Sequence, residues 1–181
     1  MSLPIFHPDH AFFVFDGEVF DPKIPLFGPE ENKLIPELQV ITSKFEINGF
    51  SITPFPVIHA LRLKSLAYLI ERNNKKLFIT GDVAWIEKAE LKNLPKVDAV
   101  ITEATFIEKG GRINRHGDKI YGHTGVPDLI RIFKPFTNQI ILTHFGEWFF
   151  YDIPKALKIL EDLETEDVQI IPATDGMEIQ L

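Results

Sequence analysis

Histidine and aspartate side chains follow apolar segments at three points of this chain, in a pattern typical of metal ligands. His59 follows Ile-Thr-Pro-Phe-Pro-Val-Ile, Asp82 follows Lys-Leu-Phe-Ile-Thr-Gly, and His144 follows Gln-Ile-Ile-Leu-Thr. Apolar runs of this length, bounded by glycine or proline, are typical of buried strands. Since ligand sites in layered α/β proteins form where strands end, these three side chains are predicted to converge on one metal site.

A further group of metal-type residues lies near the start of the chain, where His7, Asp9 and His10 fall close together. Two imidazoles and a carboxylate at this spacing reach one metal ion only if a tight turn folds them inward, and Pro8 favours such a turn. A polar turn without a metal ion is the alternative interpretation of this segment.

The strand-end residues also have simpler interpretations. His59 and His144 are each interpretable as a hydrogen-bonded core or surface histidine, and Asp82 as a helix cap or a turn residue. The shared position of these residues after apolar runs favours one metal site over several unrelated explanations.

The composition restricts the chemistry of such a site. The chain has no cysteine, so disulfides, thiolate ligands and cysteine nucleophiles are excluded, and a metal ion must use histidine and carboxylate ligands. The formal net charge of −7 argues against a general nucleic-acid surface. With 181 residues, no membrane-length apolar stretch and no signal-peptide pattern, we expect a single domain over residues 1–181, no membrane partner and a cytoplasmic location.

The spacing of apolar residues predicts hairpins followed by alternating helices and strands. Strands are predicted at residues 39–45, 50–58, 65–71, 76–80, 97–102, 139–143, 168–171 and 177–181, with a tight turn at Asn48-Gly49. Helices are predicted at residues 86–94, 126–133 and 154–163. This order of elements is typical of a layered α/β protein with mixed sheets.

The order of the metal-type motifs resembles the metallo-β-lactamase fold superfamily. The resemblance rests on His-x-Asp-His at residues 7–10, a strand-end histidine, Gly-Asp at residues 81–82 and a second strand-end histidine. Glu-Ala-Thr-Phe at residues 103–106, Gly-His-Thr at 122–124 and Leu-Thr-His-Phe at 142–145 are similar to segments of its ribonuclease Z-like and phosphodiesterase branch. The resemblance covers most of residues 5–181 and implies an αββα sandwich.

This resemblance implies a pair of neighbouring metal ions, usually zinc, with manganese or iron as alternatives. Asp82 would bridge the two ions. Asp9, His10 and His144 would hold one ion, and His7 and His59 would contribute to the other. Paired metal ions lower the pKa of a shared water and polarise a phosphoryl oxygen.

The resemblance also implies which residues are catalytic. Asp9 would orient the water, His123 would donate a proton to the leaving oxygen, and Glu103 would hold or tune His123. Without the resemblance, Glu103 is interpretable as a helix cap or a surface ion pair, and His123 as a loop histidine.

One position departs from the superfamily motif. The motif usually reads His-x-His-x-Asp-His, and Ile5 stands where the first histidine is expected. Relatives also have several strands ahead of this loop, so we expect an amino-terminally truncated member in which the first half of the sandwich is incomplete. An exposed sheet edge would then favour a homo-oligomer, or a missing amino-terminal segment or partner chain. The metal position that uses His7 and His59 is expected to be weak or empty.

Cationic side chains are concentrated in a predicted loop at residues 109–119. Lys109, Arg112, Arg115 and Lys119 could engage a phosphate or a nucleotide there, and a solvated mobile loop is the alternative. No insertion is long enough to serve as the protruding arm with which ribonuclease Z relatives grip tRNA. The predicted substrate is therefore a small phosphodiester or nucleotide-like molecule.

The leading functional hypothesis from the sequence is a metal-dependent hydrolase of phosphodiester bonds that uses metal-activated water. The first alternative is a hydrolase of a thioester, lactone or β-lactam on the same fold. The second alternative is a non-catalytic truncated remnant or an interaction subunit.

Overall fold

Short strands, tight turns and brief helices alternate along the part of the chain that the structure describes. The structure is a computed structural model, and it describes residues 5–6, 26–31 and 38–181. The strands are β1 (Ile5–Phe6), β2 (Leu26–Gly28), β3 (Gln39–Val40), β4 (Phe45–Ile47), β5 (Phe50–Val57), β6 (Ser65–Arg72), β7 (Lys75–Ile79), β8 (Ala99–Ala104), β9 (Arg112–His116), β10 (Lys119–His123), β11 (Gln139–Phe145) and β12 (Gln169–Pro172). The helices are α1 (Lys88–Leu91), α2 (Val126–Phe133), α3 (Glu147–Tyr151) and α4 (Ile153–Glu161).

Most of these strands belong to one mixed sheet, in the spatial order β12-β11-β8-β7-β6-β5-β4. Strands β4 to β7 pair antiparallel, whereas β7, β8, β11 and β12 pair parallel. Because β5 and β7 are both antiparallel to β6, they run in the same direction. The carboxyl ends of β5, β7, β8 and β11 therefore lie at the same end of the sheet.

Two-residue turns connect β4 to β5 and β6 to β7. Asn48 and Gly49 join β4 to β5 with φ values of 51° and 79°, and Asn73 and Asn74 join β6 to β7 with φ values of 51° and 65°. Turns with positive φ at both central residues match the right-handed twist of the flanking strands, and asparagine and glycine adopt them at the lowest steric cost. The predicted turn at Asn48-Gly49 is confirmed.

Side chains alternate between two apolar cores on the two faces of the large sheet. In β6, Ala67 and Leu69 face a core that also contains residues of α2 and α4. Leu66 and Tyr68 face the opposite side, where they belong to a cluster with Phe27 of the short sheet β1-β2-β3. Both faces of β6 are covered, which explains why its sequence is apolar without interruption from Leu66 to Ile70.

Two predicted strands are wrong. Residues 39–45 do not form one strand, because the amide of Ile41 donates to the carbonyl of Gly28 in the short sheet and the chain then joins the large sheet at Phe45. Residues 177–181 form no strand, and the amide of Met177 instead donates to the carbonyl of Thr174 in a turn.

Two further predictions are wrong in extent or kind. The helix predicted at residues 86–94 is only the single turn of α1, and Ile86 and Leu94 on either side of it are buried in the core. The loop predicted at residues 109–119 is largely a hairpin of β9 and β10. Gly117 begins its two-residue turn with a φ of 59°, the conformation that glycine provides at this position of a type II′ turn.

Residues 126–133 and 154–163 contain helices as predicted, and the mixed α/β class is confirmed. None of the helices in the described ranges is long and apolar enough to cross a membrane.

The ring of Phe78 joins the strands to the helices in the larger core, and we predict that its loss destabilises the fold. Phe78 is fully buried and its ring contacts those of Phe55 and Phe133, at centroid distances of 5.4 and 5.9 Å. Phe78→Ala should lower the free energy of unfolding by about 3–5 kcal/mol, because it leaves a cavity in addition to the lost burial. The change should appear as a lower urea midpoint.

The matched control is Phe150→Ala, since the Phe150 side chain is 64% exposed. This variant should unfold within about 0.5 kcal/mol of the parent. Equal urea midpoints for the two variants would contradict the assignment of Phe78 to the core.

Candidate metal centre

Four parallel strand ends and the end of the hairpin bring together most of the residues that the sequence singled out. His59 follows β5, Asp82 follows β7, Glu103 lies near the end of β8 and His144 near the end of β11. His123 ends β10. Ligand-type atoms of Asp82, Glu103, His123 and His144 all lie within 4.8 Å of one another.

Asp82 is the carboxylate at the centre of this group. Its Oδ1 lies 3.3 Å from Nδ1 of His144, and its Oδ2 lies 3.8 Å from Nε2 of His59. Burial raises the pKa of Asp82 above its ordinary range, while His144 and His59 oppose the rise. Among the described residues, no lysine or arginine pairs with Asp82. A half-buried carboxylate that faces two imidazoles, with no fixed cation beside it, suits a divalent metal ion.

His59 is held in place by a reciprocal pair of contacts with the hairpin. Its Nδ1 lies 3.0 Å from the carbonyl oxygen of Gly122, and the Gly122 amide donates to the His59 carbonyl at 2.8 Å. With the proton on Nδ1, as this network assigns it, Nε2 is the unprotonated nitrogen that faces Asp82. Gly122 has a φ of 118°, and a Cβ there would overlap the Arg112 carbonyl, so only glycine fits this position.

His144 occupies an irregular position in β11. The pairing of β11 with β8 shifts register between Thr143 and Phe145, and His144 adopts a φ of 50°. A bulge of this kind turns one side chain out of the regular alternation of the strand. Positive φ in a residue other than glycine is costly, and such strain is concentrated at functional sites.

Glu103 is a buried carboxylate whose oxygens are occupied by protein donors. Its Oε1 accepts the amide of Val83 at 2.5 Å, and its Oε2 lies 2.5 Å from Thr105 Oγ1 and 2.6 Å from His123 Nδ1. The residue is only 1% exposed. Because these contacts already use both oxygens, Glu103 is better explained as the partner of His123 than as a metal ligand, despite its place in the group.

The imidazole rings of three histidines lie close together beside the carboxylates of Asp82 and Glu103. The ring centroids of His59 and His123 are 4.7 Å apart, and those of His123 and His144 are 5.9 Å apart in a stacked arrangement. Neutral imidazoles and carboxylates suit zinc, with manganese or iron as alternatives. The residues present therefore fit a metal ion of this class.

The other predicted ligands, His7, Asp9 and His10, lie outside the described residues. The alternative in which Asp82 caps the first helix is not observed, since the residue that precedes α1 is Glu87.

Thr105 is a further residue of the site, to which the sequence motifs assign no role. Its Oγ1 lies within hydrogen-bond distance of three groups: Glu103 Oε2, His123 Nδ1 at 3.2 Å and His144 Nδ1 at 3.0 Å. The sequence signal for Thr105 is its position two residues after Glu103, because residues two positions apart along an extended chain point to the same side.

Comparison with protein families identifies the class to which this fold and site belong. A family model described as the beta-lactamase superfamily domain matches residues 22–171. The chain therefore belongs to the beta-lactamase superfamily, and the family resemblance inferred from the motifs is confirmed. No curated protein matches the sequence.

Solved structures with the same fold agree with this assignment. The metallo-beta-lactamase fold protein YhfI from Bacillus subtilis is 17% identical, with a TM-score of 0.60 over 85% of this chain and 64% of that chain. A diphosphatase of the PhnP family is 17% identical, with a TM-score of 0.64 over 87% of this chain and 58% of that chain. Human tRNase Z, short form, is 17% identical, with a TM-score of 0.54 over 85% of this chain and 55% of that chain. The chain thus spans less than two thirds of the length of each of these proteins.

We predict that the described ligands bind metal tightly enough to survive purification. The parent chain should carry about one zinc ion or more when measured by elemental mass spectrometry. The double variant Asp82→Ala, His144→Ala should lower the affinity for zinc by more than about 100-fold. A loss above this value exceeds the effect of removing a residue that only forms a hydrogen bond to a metal ligand.

Asp167→Ala, which removes an exposed carboxylate, is the control and should keep the parent metal content. Circular dichroism should show that all variants are folded. Equal metal content in the parent and the folded double variant would refute the site.

Proposed function

We propose that this chain is a metal-dependent hydrolase of phosphodiester bonds, with zinc as the metal and manganese or iron as alternatives. The observation that carries the proposal is the 2.6 Å contact between Glu103 Oε2 and His123 Nδ1, beside the ligand-type atoms of Asp82. Cleavage of a phosphodiester expels an alkoxide or phenolate oxygen, and a positioned histidine can supply the proton that this oxygen needs.

His123 is suited to this proton transfer by the way in which it is held. Glu103 accepts a hydrogen bond from the Nδ1–H group of His123. The other ring nitrogen, Nε2, therefore remains to exchange a proton with the leaving oxygen. Thr105 donates to the same carboxylate and limits its rotation. Glu103 is therefore a positioning residue, whereas His123 is the candidate catalytic acid.

The metal ligands are proposed to be His59, Asp82 and His144, together with His7, Asp9 and His10 from the family motif. Asp9 would also orient the attacking water. A metal ion bound there would polarise a phosphoryl oxygen and lower the pKa of water.

Two observations favour a phosphodiester over the other substrates of this fold. Arg112 pairs with His123 in the hairpin and lines the same cavity, so its guanidinium is within reach of a phosphate bound beside the proton donor. The structural neighbours also include a diphosphatase and a tRNase Z.

Hydrolysis of two chromogenic substrates, a phosphodiester and a β-lactam, tests the proposal. The zinc-loaded chain should release p-nitrophenolate from bis-p-nitrophenyl phosphate and leave nitrocefin intact. For a diester whose leaving group is an alkoxide, His123→Ala should lower kcat by about 10²- to 10⁴-fold, the usual contribution of a general acid. The loss should be much smaller for bis-p-nitrophenyl phosphate, because p-nitrophenolate is a weak base that leaves without protonation. His116→Ala, an exposed histidine of the same hairpin, is the control and should keep the parent kcat.

The other outcomes select among the alternatives. Cleavage of nitrocefin but not of bis-p-nitrophenyl phosphate would indicate that the chain is a β-lactam hydrolase. No cleavage of either substrate by metal-loaded chain would favour a non-catalytic interaction subunit.

The role of Glu103 is tested separately with Glu103→Gln. If Glu103 positions His123, kcat should fall by about 10- to 100-fold, while KM and metal content stay near the parent values. Loss of bound zinc in this variant would instead make Glu103 a ligand, because an amide oxygen is a much poorer zinc donor than a carboxylate.

A further inference from the structure

The hydroxyl of Thr105 lies between the candidate metal ligands and the candidate proton donor. Its Oγ1 is 2.5 Å from Glu103 Oε2, 3.0 Å from His144 Nδ1 and 3.2 Å from His123 Nδ1. Side chains from β8, β10 and β11 therefore meet at one oxygen atom. A hydroxyl group has one proton to donate and two lone pairs that accept, so it can serve all three neighbours at once.

The direction of each of these hydrogen bonds follows from the strength of the acceptors. The carboxylate of Glu103 is a charged acceptor and the nearest of the three groups, so Thr105 donates its proton to Oε2. The hydroxyl oxygen then has no proton left for either imidazole and can only accept from them. Nδ1 of His144 must therefore carry a proton to bond to Thr105. Nδ1 of His123 shares its proton between Glu103 and Thr105.

This position of the proton suits a histidine that binds a metal ion. A neutral imidazole with its proton on Nδ1 has Nε2 free to coordinate, and a metal-bound histidine usually donates its other N–H group to a fixed partner. For His59 that partner is the carbonyl of Gly122, 3.0 Å from Nδ1. For His144 the nearest acceptor is Thr105 Oγ1, and Asp82 Oδ1 is a more distant one at 3.3 Å. Thr105 thus corresponds for His144 to Gly122 for His59.

The backbone around Thr105 is fixed on both sides. The carbonyl of Ala104 accepts the amide of Gly146 at 3.2 Å and Nε1 of Trp148 at 2.9 Å. The carbonyl of Phe106 accepts the amide that begins α2 at 2.9 Å. A Cβ at Gly146 would overlap the Thr105 carbonyl, so the segment after the bulge of β11 packs directly against Thr105. The hydroxyl is therefore held in place by the fold and does not depend on the histidines for its position.

We propose that Thr105 is a positioning residue for both parts of the site, the ligand His144 and the proton donor His123. It fixes the proton of His144 on Nδ1, and it fixes the carboxylate of Glu103 that holds His123. The proposal rests on the roles proposed above for His144 and His123. Thr105 itself takes no part in making or breaking bonds.

Removal of the hydroxyl tests the role at the metal centre without any substrate. Thr105→Val replaces the hydroxyl with a methyl group of similar size. It should lower the affinity for zinc by about 10- to 100-fold, the usual effect of losing a hydrogen-bond partner of a metal ligand. Thr105→Ser retains the hydroxyl and should bind zinc as the parent does. Competition with a chromogenic chelator measures these affinities, on variants that circular dichroism shows to be folded.

Thr143→Val is the matched control, because it removes a hydroxyl from the residue next to His144. The Thr143 hydroxyl donates to the carbonyl of Thr102 at 3.3 Å and not to a residue of the site. This variant should keep the parent affinity for zinc. Equal affinities in the parent and Thr105→Val, or equal losses in Thr105→Val and Thr143→Val, would overturn the proposal.

Nitrogen-15 NMR of the imidazole rings tests the assigned proton positions directly. In alkaline solution, His144 of the metal-free parent should be in the Nδ1–H form. This preference should be lost in Thr105→Val and retained in Thr105→Ser. An Nε2–H form of His144 in the parent would contradict the proposal, because the Thr105 hydroxyl would then donate to His144 and not to Glu103.

The role at the proton donor is tested with thymidylyl-(3′→5′)-thymidine, a diester whose leaving group is an alkoxide. At saturating zinc, Thr105→Val should lower kcat by about tenfold and leave KM unchanged, since Glu103 loses a donor that holds it. Thr105→Ser should keep the parent kcat. An unchanged kcat in Thr105→Val would overturn the double role.

The proposed function and this proposal fail in distinguishable ways. If the zinc-loaded parent cleaves no diester, the proposed function and the role of Thr105 at the proton donor are both overturned. The zinc affinities and the NMR spectra still decide the role at His144, because neither measurement requires a substrate.

Discussion

The buried carboxylate of Glu103 is the interaction on which the organisation of the site depends. A carboxylate that is 1% exposed is stable only if protein donors replace its lost water. Those donors come from three different segments: Val83 after β7, Thr105 after β8 and His123 at the end of β10. The need to satisfy one buried charge therefore fixes the hairpin, the β7 loop and the β8 end relative to one another.

Strand direction supplies the second constraint. Since β5, β7, β8 and β11 all run the same way, residues far apart in sequence meet at one end of the sheet without any long loop to carry them. His144 is the exception that requires a local distortion, because regular pairing alone would not direct its side chain toward Asp82. β11, the strand that contains His144, is paired with a strand on each side, and this pairing stabilises the strained backbone conformation of His144.

Apolar runs and the residues that follow them are local features, so the positions of His59, Asp82 and His144 after strands could be predicted from the sequence. Glu103 and His123 were named from the family resemblance and not from this pattern. What could not be predicted depends on partners distant in sequence. Residues 39–45 look like one strand, yet they divide between two sheets. Residues 177–181 pair with no strand in the part of the chain that the structure describes. Residues 109–119 were predicted as a loop because they are rich in glycine and cationic residues, although most of them pair as a hairpin.

The period of the hairpin constrains how related chains can diverge. Insertion or deletion of two residues in each strand would move the turn farther from the metal centre or closer to it and keep Arg112 and His123 on the same face. A change of one residue in a single strand would exchange the face of Arg112 and His123 with the face of Ile113 and Ile120, unless a bulge compensated for it. Length variation in this segment should therefore occur in even steps.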